Sequence, residues 1–286
     1  MATAVARFTA AALTDRGRKR ASNEDAFGYS VEHGVYLVCD GMGGAAAGEI
    51  ASSLAVEEVL RLVTERLDAR LDARSDAHRE SALESGRKPS AEDRSSESVL
   101  PDLAREAVAI ANEAIHSRGE RNPRLSGMGT TLVGILAGQP ENDGRVWILN
   151  VGDSRCYRFR KGRIEQISHD HSLVDEQVRL GRMTRAEAAR SPMRNVITRA
   201  LGTQPSVTPD VIEADIEPGD LFLLCSDGLT RHLSDGQLES ILAASQSGSQ
   251  SSSQPASLED ICASLIDAAN KGGGHDNITS LLVRVD

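Results

Sequence analysis

The chain has 286 residues, 40% of them hydrophobic but only 3% aromatic, and a formal net charge of −10. That is enough apolar material for a sizeable aliphatic core, in one large domain or two small ones. An acidic excess of this size speaks against nucleic-acid binding, which relies on cationic neutralisation of phosphates, so any phosphorylated substrate would need positive charge supplied locally.

The N-terminal stretch MATAVARFTAAALTDRGRKR lacks a basic start followed by an apolar block, so it does not read as a signal peptide. No apolar run approaches membrane-spanning length. Strand patterns open the chain at ARFTAAALTD, DAFGYSVE and VYLVCD. A helix is predicted over 46–66, with Val56, Val59, Leu60 and Val63 at helical spacing and Leu67 in line with them. Residues 66–99 are charged and serine-rich and read as an insertion, a solvated helix end passing into a mobile segment. A second helix is predicted over 99–117, on Leu100, Leu103, Ala107, Ile110, Ala111 and Ala114.

Strand patterns resume at TTLVGILAG, RVWILNVGD, CYRFR, RIEQIS, DVIEADI, DLFLLCSD and NITSLLVRV, punctuated by turns such as Lys161-Gly162 and EPGD at 217–220. Helices are predicted at 235–244 and 257–270, around a low-complexity loop at 245–257. There is no internal repeat. Hairpin-like strands followed by amphipathic helices predict an α+β layered fold, antiparallel sheet covered by helices. The four cysteines, Cys39, Cys156, Cys225 and Cys262, show no metal-like spacing. They read as reduced, structural thiols of a cytosolic protein.

The carboxylates form the pattern that carries chemistry. VYLVCDG and LFLLCSDG are apolar strands that stop at Asp40 and Asp227, each followed by glycine, and the apolar strand of RVWILNVGDSR stops likewise at Asp153, here preceded by glycine. Glu24 and Asp25 precede one apolar strand and Asp276 another. Any single Asp-Gly is an ordinary turn pair. Several at the ends of core strands converge on one rim, where they repel unless a cation joins them. Oxygen ligands of this kind suit Mg²⁺ or Mn²⁺ rather than zinc. Gly41 can offer a backbone carbonyl, and Gly43 and Gly44 permit close approach.

On these residues the chain resembles the metal-dependent serine/threonine protein phosphatases, the PPM or type 2C family, and in particular its bacterial members. The matching motifs run in order from TDRGRKRASNEDAFG through VCDGMGG, GMGTTLVGIL, LNVGDSRCYRFRKGRIEQISHDHSLV, RNVITRALG and GDLFLLCSDGLT to GGGHDNITSLLV, nearly the whole chain. The resemblance implies a single catalytic domain over 1–286, a four-layer α-β-β-α sandwich with two central antiparallel sheets and a small helical flap at 172–200. It implies two Mn²⁺ or Mg²⁺ ions, with a third in bacterial relatives. Asp40 would bridge two metals, Gly41 would bind through its carbonyl, Asp227 and Asp276 would complete a shell, and Glu24 or Asp25 would act through bound water. Asp153 would help hold the third ion. Arg20 matches the phosphate-binding arginine, and Asn277 would orient Asp276.

The implied reaction is direct attack of a metal-bridging hydroxide on phosphoserine or phosphothreonine in proteins, opposing a serine/threonine kinase. The implied setting is a cytoplasmic monomer with no nucleic-acid or membrane partner. Many eukaryotic members carry histidine directly after the Asp-Gly; this chain has Met42. Protonation of the leaving group then falls first to a bound water, and more weakly to His169 or His171. His275 reads as structural. The flap arginines Arg179, Arg182, Arg185, Arg190 and Arg194 read equally as a solvated face or as a steering surface for anionic phosphopeptides. Two other functions fit the same pattern: a weakly catalytic scaffold that binds phosphoproteins, which the retained Asp40, Asp227 and Asp276 disfavour, and a phosphatase of small esters.

Overall fold

Neighbouring residues of one strand belong to different cores. Leu37 and Cys39 pack in a cluster with helical residues such as Ala51, Val59, Ala104 and Val108, while Tyr36 and Val38 pack with Ile148, Phe222, Leu224 and Leu281. Leu221, Leu223 and Cys225 join a third cluster with Leu238, Ile261, Leu265 and Ile266. Strands buried on both faces carry unbroken apolar runs instead of alternation, which is why VYLVC and LFLLC are so uniformly hydrophobic.

The computed structural model describes residues 8–83, 99–137, 144–246 and 256–286. One five-stranded sheet joins β1 (Phe8–Asp15), β11 (Ile278–Val285), β10 (Leu221–Cys225), β7 (Arg155–Arg160) and β8 (Arg163–Gln166), in that order. The facing sheet runs β2 (Asp25–Ser30), β3 (Val35–Met42), β5 (Leu132–Leu136), β6 (Arg145–Val151) and β9 (Asp210–Asp215), with the two-residue β4 (Gly129–Thr130) paired to β3. All these pairings are antiparallel. Helices α1 (Ala45–Leu83) and α2 (Val99–Arg121) cover the second sheet, and α6 (Asp235–Gln246) and α7 (Leu258–Lys271) cover the first. The result is the expected α-β-β-α sandwich. Each Leu, Ile or Val removed from water in these three layers contributes about 1.5–3 kcal/mol.

Among the described residues there are also three short α-helices, α3 (Leu173–Arg179), α4 (Arg185–Arg190) and α5 (Asp227–Thr230), and a 3-10 turn at Pro123–Leu125. The first two form the flap segment. Ser172 caps α3, and Thr184 with Glu187 forms a capping box on α4, so each has a defined start despite its length.

The first helix runs further than the predicted 46–66. The charged stretch up to Leu83 continues α1, tied down by Arg66 to Glu106 at 2.6 Å and His33 to Asp68 at 2.9 Å. The rest of the predicted insertion, 84–98, lies outside the described residues, as do residues 247–255 of the low-complexity loop. The apolar run LFLLC also stops earlier than expected. Ser226 leaves the strand and Asp227 opens the helical turn α5.

Candidate active site

The carboxylates gather where β3, β6 and β10 end and β2 and β11 begin. Asp25 heads β2 directly opposite Asp40 in the β2–β3 ladder. Gly41, next along β3, must be glycine: a Cβ there would collide with the carbonyl of Gly48, and its N–H donates to Glu24 O at 3.1 Å. Gly43 turns the chain into α1 at a φ of 117°, a conformation that favours glycine. Asp153 follows Gly152 after β6, Asp227 opens α5, and Asp276 stands two residues before β11.

Hydroxyl groups fix the spacing between these elements. Thr131 Oγ1 accepts from the Asp40 N–H at 3.0 Å and pairs with Ser154 Oγ at 2.7 Å, linking the Asp40 strand to the Asp153 turn. Ser226 Oγ and Thr279 Oγ1 both donate to Asp25 Oδ2, at 2.7 and 2.6 Å. Ser52 on α1 donates to Glu24 O at 2.6 Å. Thr131, Ser154, Ser226 and Thr279 were missed by sequence reasoning. Ser154 and Ser226 carried a signal, a hydroxyl directly beside Asp153 and Asp227; Thr131 and Thr279 carried none.

Asn277 does not orient Asp276 through its side chain. Its Oδ1 accepts from Glu24 N–H at 2.9 Å, and its Nδ2 donates to Arg16 O and Ser22 O at 3.0 and 2.9 Å. The amide therefore staples the 16–24 loop that presents Arg20 and Glu24. Only its backbone N–H reaches Asp276, at 2.9 Å from Oδ1. Arg20 donates to Asp276 at 2.8 Å and lies 3.9 Å from Glu24 Oε1. Arg231, also missed, contacts Asp227 Oδ2 and donates to Asp276 Oδ2 at 2.8 Å.

The electrostatics are those of carboxylates short of positive charge. Burial pushes Asp40 well above the usual carboxylate range, and repulsion from Asp25, Asp227, Asp153 and Asp276 adds to it. Burial likewise raises Asp25 to about 6, against the two hydroxyl bonds. Burial, then Asp170, raises Asp153 to about 6. Burial and then Asp153 raise Asp227, while Arg231 opposes them. Asp25 Oδ1, Asp153 Oδ1 and Asp227 Oδ1 are buried without any hydrogen-bond partner. Orphaned anionic oxygens in mutual repulsion fit a hard divalent cation, which would join them. Among the described residues, however, no three acidic, histidine or cysteine side chains form a ready-made ion cage, and the arginines lie against Asp227 and Asp276.

The weaker proton-donor candidates, His169 and His171, are not among the residues lining the cleft beside the rim, whereas His275 is. Met42 ends β3 opposite Gly129. His169 is exposed, and His275 stacks on His232 with ring centroids 5.1 Å apart. His171 is buried. Its Nδ1 accepts from the Gly152 N–H at 3.1 Å, its Nε2 lies 3.2 Å from Asp210 Oδ2, and its own N–H donates to Gly152 O at 2.8 Å. It braces the turn that carries Asp153. Beside the rim a cleft of about 680 Å³ opens towards the flap, lined by Asp153, Asp227, Arg231, Arg185 and Arg194 among others.

A family model described as Protein phosphatase 2C matches residues 14–263. The chain belongs to the protein phosphatase 2C family. It is 35% identical over 276 residues to the serine/threonine phosphatase stp of Listeria monocytogenes, covering 96% of this chain and 94% of that protein. The serine/threonine phosphatase PstP/Ppp of Mycobacterium tuberculosis superposes with a TM-score of 0.76 at 32% identity, covering 98% of this chain and 99% of that one. The catalytic domain of PstP in complex with two manganese ions superposes with a TM-score of 0.74 at 31% identity, covering 98% and 99%. The type 2C sandwich expected from the motifs is thus also the fold of solved phosphatases. No helix among the described residues is long and apolar enough to cross a membrane.

Proposed function

We propose that this type 2C phosphatase hydrolyses phosphoserine and phosphothreonine in proteins at the carboxylate rim, as a single catalytic domain. The enzyme is a metal-dependent protein-serine/threonine phosphatase, and Mn²⁺ or Mg²⁺ is its cofactor. The observation that carries the site is the set of buried, partnerless oxygens on Asp25, Asp153 and Asp227, facing Asp40. Asp25, Asp40, Asp227 and Asp276, with the Gly41 carbonyl, would hold two cations, and Asp153 would share a third with Asp227. Bound there, divalent ions lower the pKa of water and neutralise phosphoryl oxygens.

The chain's own residues supply the rest. Arg20, about half exposed, presents a planar fork suited to grip two phosphate oxygens. Glu24 sits beside it and Asn277 fixes the loop beneath, so the grip is positioned before substrate arrives. Met42 has no proton to give, so the leaving alkoxide takes one from water in the cleft. The cleft's lining by Arg185 and Arg194 beside the rim suits an anionic phosphopeptide. We place the enzyme in the cytoplasm as a monomer acting against a serine/threonine kinase.

Phosphate release from a phosphothreonine peptide tests this reading. Mn²⁺ should support turnover, and a chelator or Asp227→Asn should abolish it in protein that stays folded. Equal turnover with and without chelator would overturn the assignment.

A further inference from the structure

Arg231 has no role in the chemistry above, yet it holds two of the proposed ligands at once. It is the first residue after α5, so one helical turn brings it back over Asp227. One of its guanidinium nitrogens contacts Asp227 Oδ2 and another lies 2.8 Å from Asp276 Oδ2. Asp227 and Asp276 come from different strand ends and are like charges pressed together. The guanidinium bridges them. An ordinary i,i+4 surface pair would touch only Asp227.

A divalent ion held by Asp227 and Asp276 would share the two carboxylates that the guanidinium already bridges through their Oδ2 atoms, and two cations on one carboxylate pair repel. The two cations therefore exclude each other. A guanidinium does not deprotonate in a protein, so Arg231 yields only by moving. Its side chain is 36% exposed and lines the cleft of about 680 Å³, so it has somewhere to go. Nor does it satisfy the site fully, since Asp227 Oδ1 stays buried without a partner.

We infer that Arg231 is a resident counter-cation that competes with the divalent metal for Asp227 and Asp276, and so sets the metal concentration at which the enzyme loads. The inference rests on the proposed metal site. Apparent metal affinity is reduced by the fraction of molecules in which Arg231 covers the pair. For a partly exposed arginine–carboxylate network, that reduction is about fivefold.

The test is calorimetric titration of Mn²⁺ into the full chain after chelator treatment and dialysis, on wild type, Arg231→Gln, Arg231→Lys and Asp227→Asn. Arg231→Gln should bind Mn²⁺ about fivefold more tightly than wild type. It should also melt at a lower temperature in chelator, because Asp227 and Asp276 lose their counter-charge. Arg231→Lys, which keeps the charge but not the two-pronged bridge, should fall between. Equal or weaker binding by Arg231→Gln overturns the inference. If that variant does not fold, Arg231→Lys decides: tighter than wild type supports competition, and equal or weaker refutes it. Should Asp227→Asn bind as wild type does, the metal site itself is misplaced. A loss in Asp227→Asn with no gain in Arg231→Gln removes only the role given to Arg231.

Discussion

The two ends of β10 carry the same residue types with opposite electrostatics. Before the strand, Asp220 is buried to 1% exposure and grips Arg160 through two bonds of 2.7 and 2.6 Å. Arg160 also meets Asp215 at 2.7 Å and Glu217 at 3.1 Å, and Arg158 pairs with Asp215 and Glu165. The hydrogen bond from Arg160 holds Asp215 below the usual carboxylate range. After the strand, Asp227 stands among Asp40, Asp153 and Asp276, with its carboxyl pushed up and one oxygen orphaned. The number of acidic residues does not mark the site. Charge left unbalanced in a buried place marks it, and a fold retains such charge where function needs it.

Asp40→Asn should divide the two ends most sharply. Loss of the carboxylate proposed to bridge two cations removes several kcal/mol of transition-state stabilisation, so turnover of a phosphothreonine peptide should fall on the order of 10³-fold. In chelator at neutral pH the same variant should melt above wild type, because a repelled buried charge is gone. A lower melting temperature would mean that the rim is not strained by repulsion, and the contrast with the Arg160 end would fail.

Arg160→Met probes the balanced end. It leaves Asp220 buried without its partner, which should cost about 3 kcal/mol in urea unfolding. Turnover at saturating Mn²⁺ should stay within about twofold of wild type, since nothing at this end touches the cleft. A loss of activity in protein that remains folded would show that the two ends communicate along β10.

How far the sequence exposes this contrast depends on what each residue's neighbours are. The strand ends Asp40, Asp153, Asp227 and Asp276 could be seen because each interrupts or borders an apolar run, and a strand end has a defined place in a sandwich. The fold could be read for the same reason: runs such as VYLVC and TTLVGIL are buried on both faces. Arg231 could not be seen. Its partner Asp276 lies 45 residues away, and only the meeting of α5 with the start of β11 joins them. Asn277 was misread because adjacency in sequence suggested Asp276, whereas its side chain turns to Glu24 and Ser22, more than 250 residues distant. The continuation of α1 past residue 66 was obscured by composition, since Arg66 and Asp68 find partners across the tertiary structure, at Glu106 and His33.

A smaller effect, at the turn carrying Asp153, tests whether the rim is braced from behind. His171 accepts the Gly152 N–H at Nδ1, which requires a neutral ring. Burial holds its pKa below the ordinary histidine value; Asp210 opposes this, and Arg199 and Arg179 reinforce it. A histidine with a lowered folded pKa contributes stability above its unfolded pKa, and loses that contribution as pH falls through the folded value. Asparagine can offer an acceptor near Nδ1, does not titrate and cannot reach Asp210. Wild type should therefore exceed His171→Asn by about 1 kcal/mol near neutral pH. The gap should close as the pH is lowered below the ordinary histidine range. The readout is the difference between the two unfolding curves at each pH, which cancels the titration of every carboxylate the two proteins share. A gap that stays constant would mean that His171 braces Gly152 by shape alone, and that the Asp153 turn is insensitive to the proton on the ring.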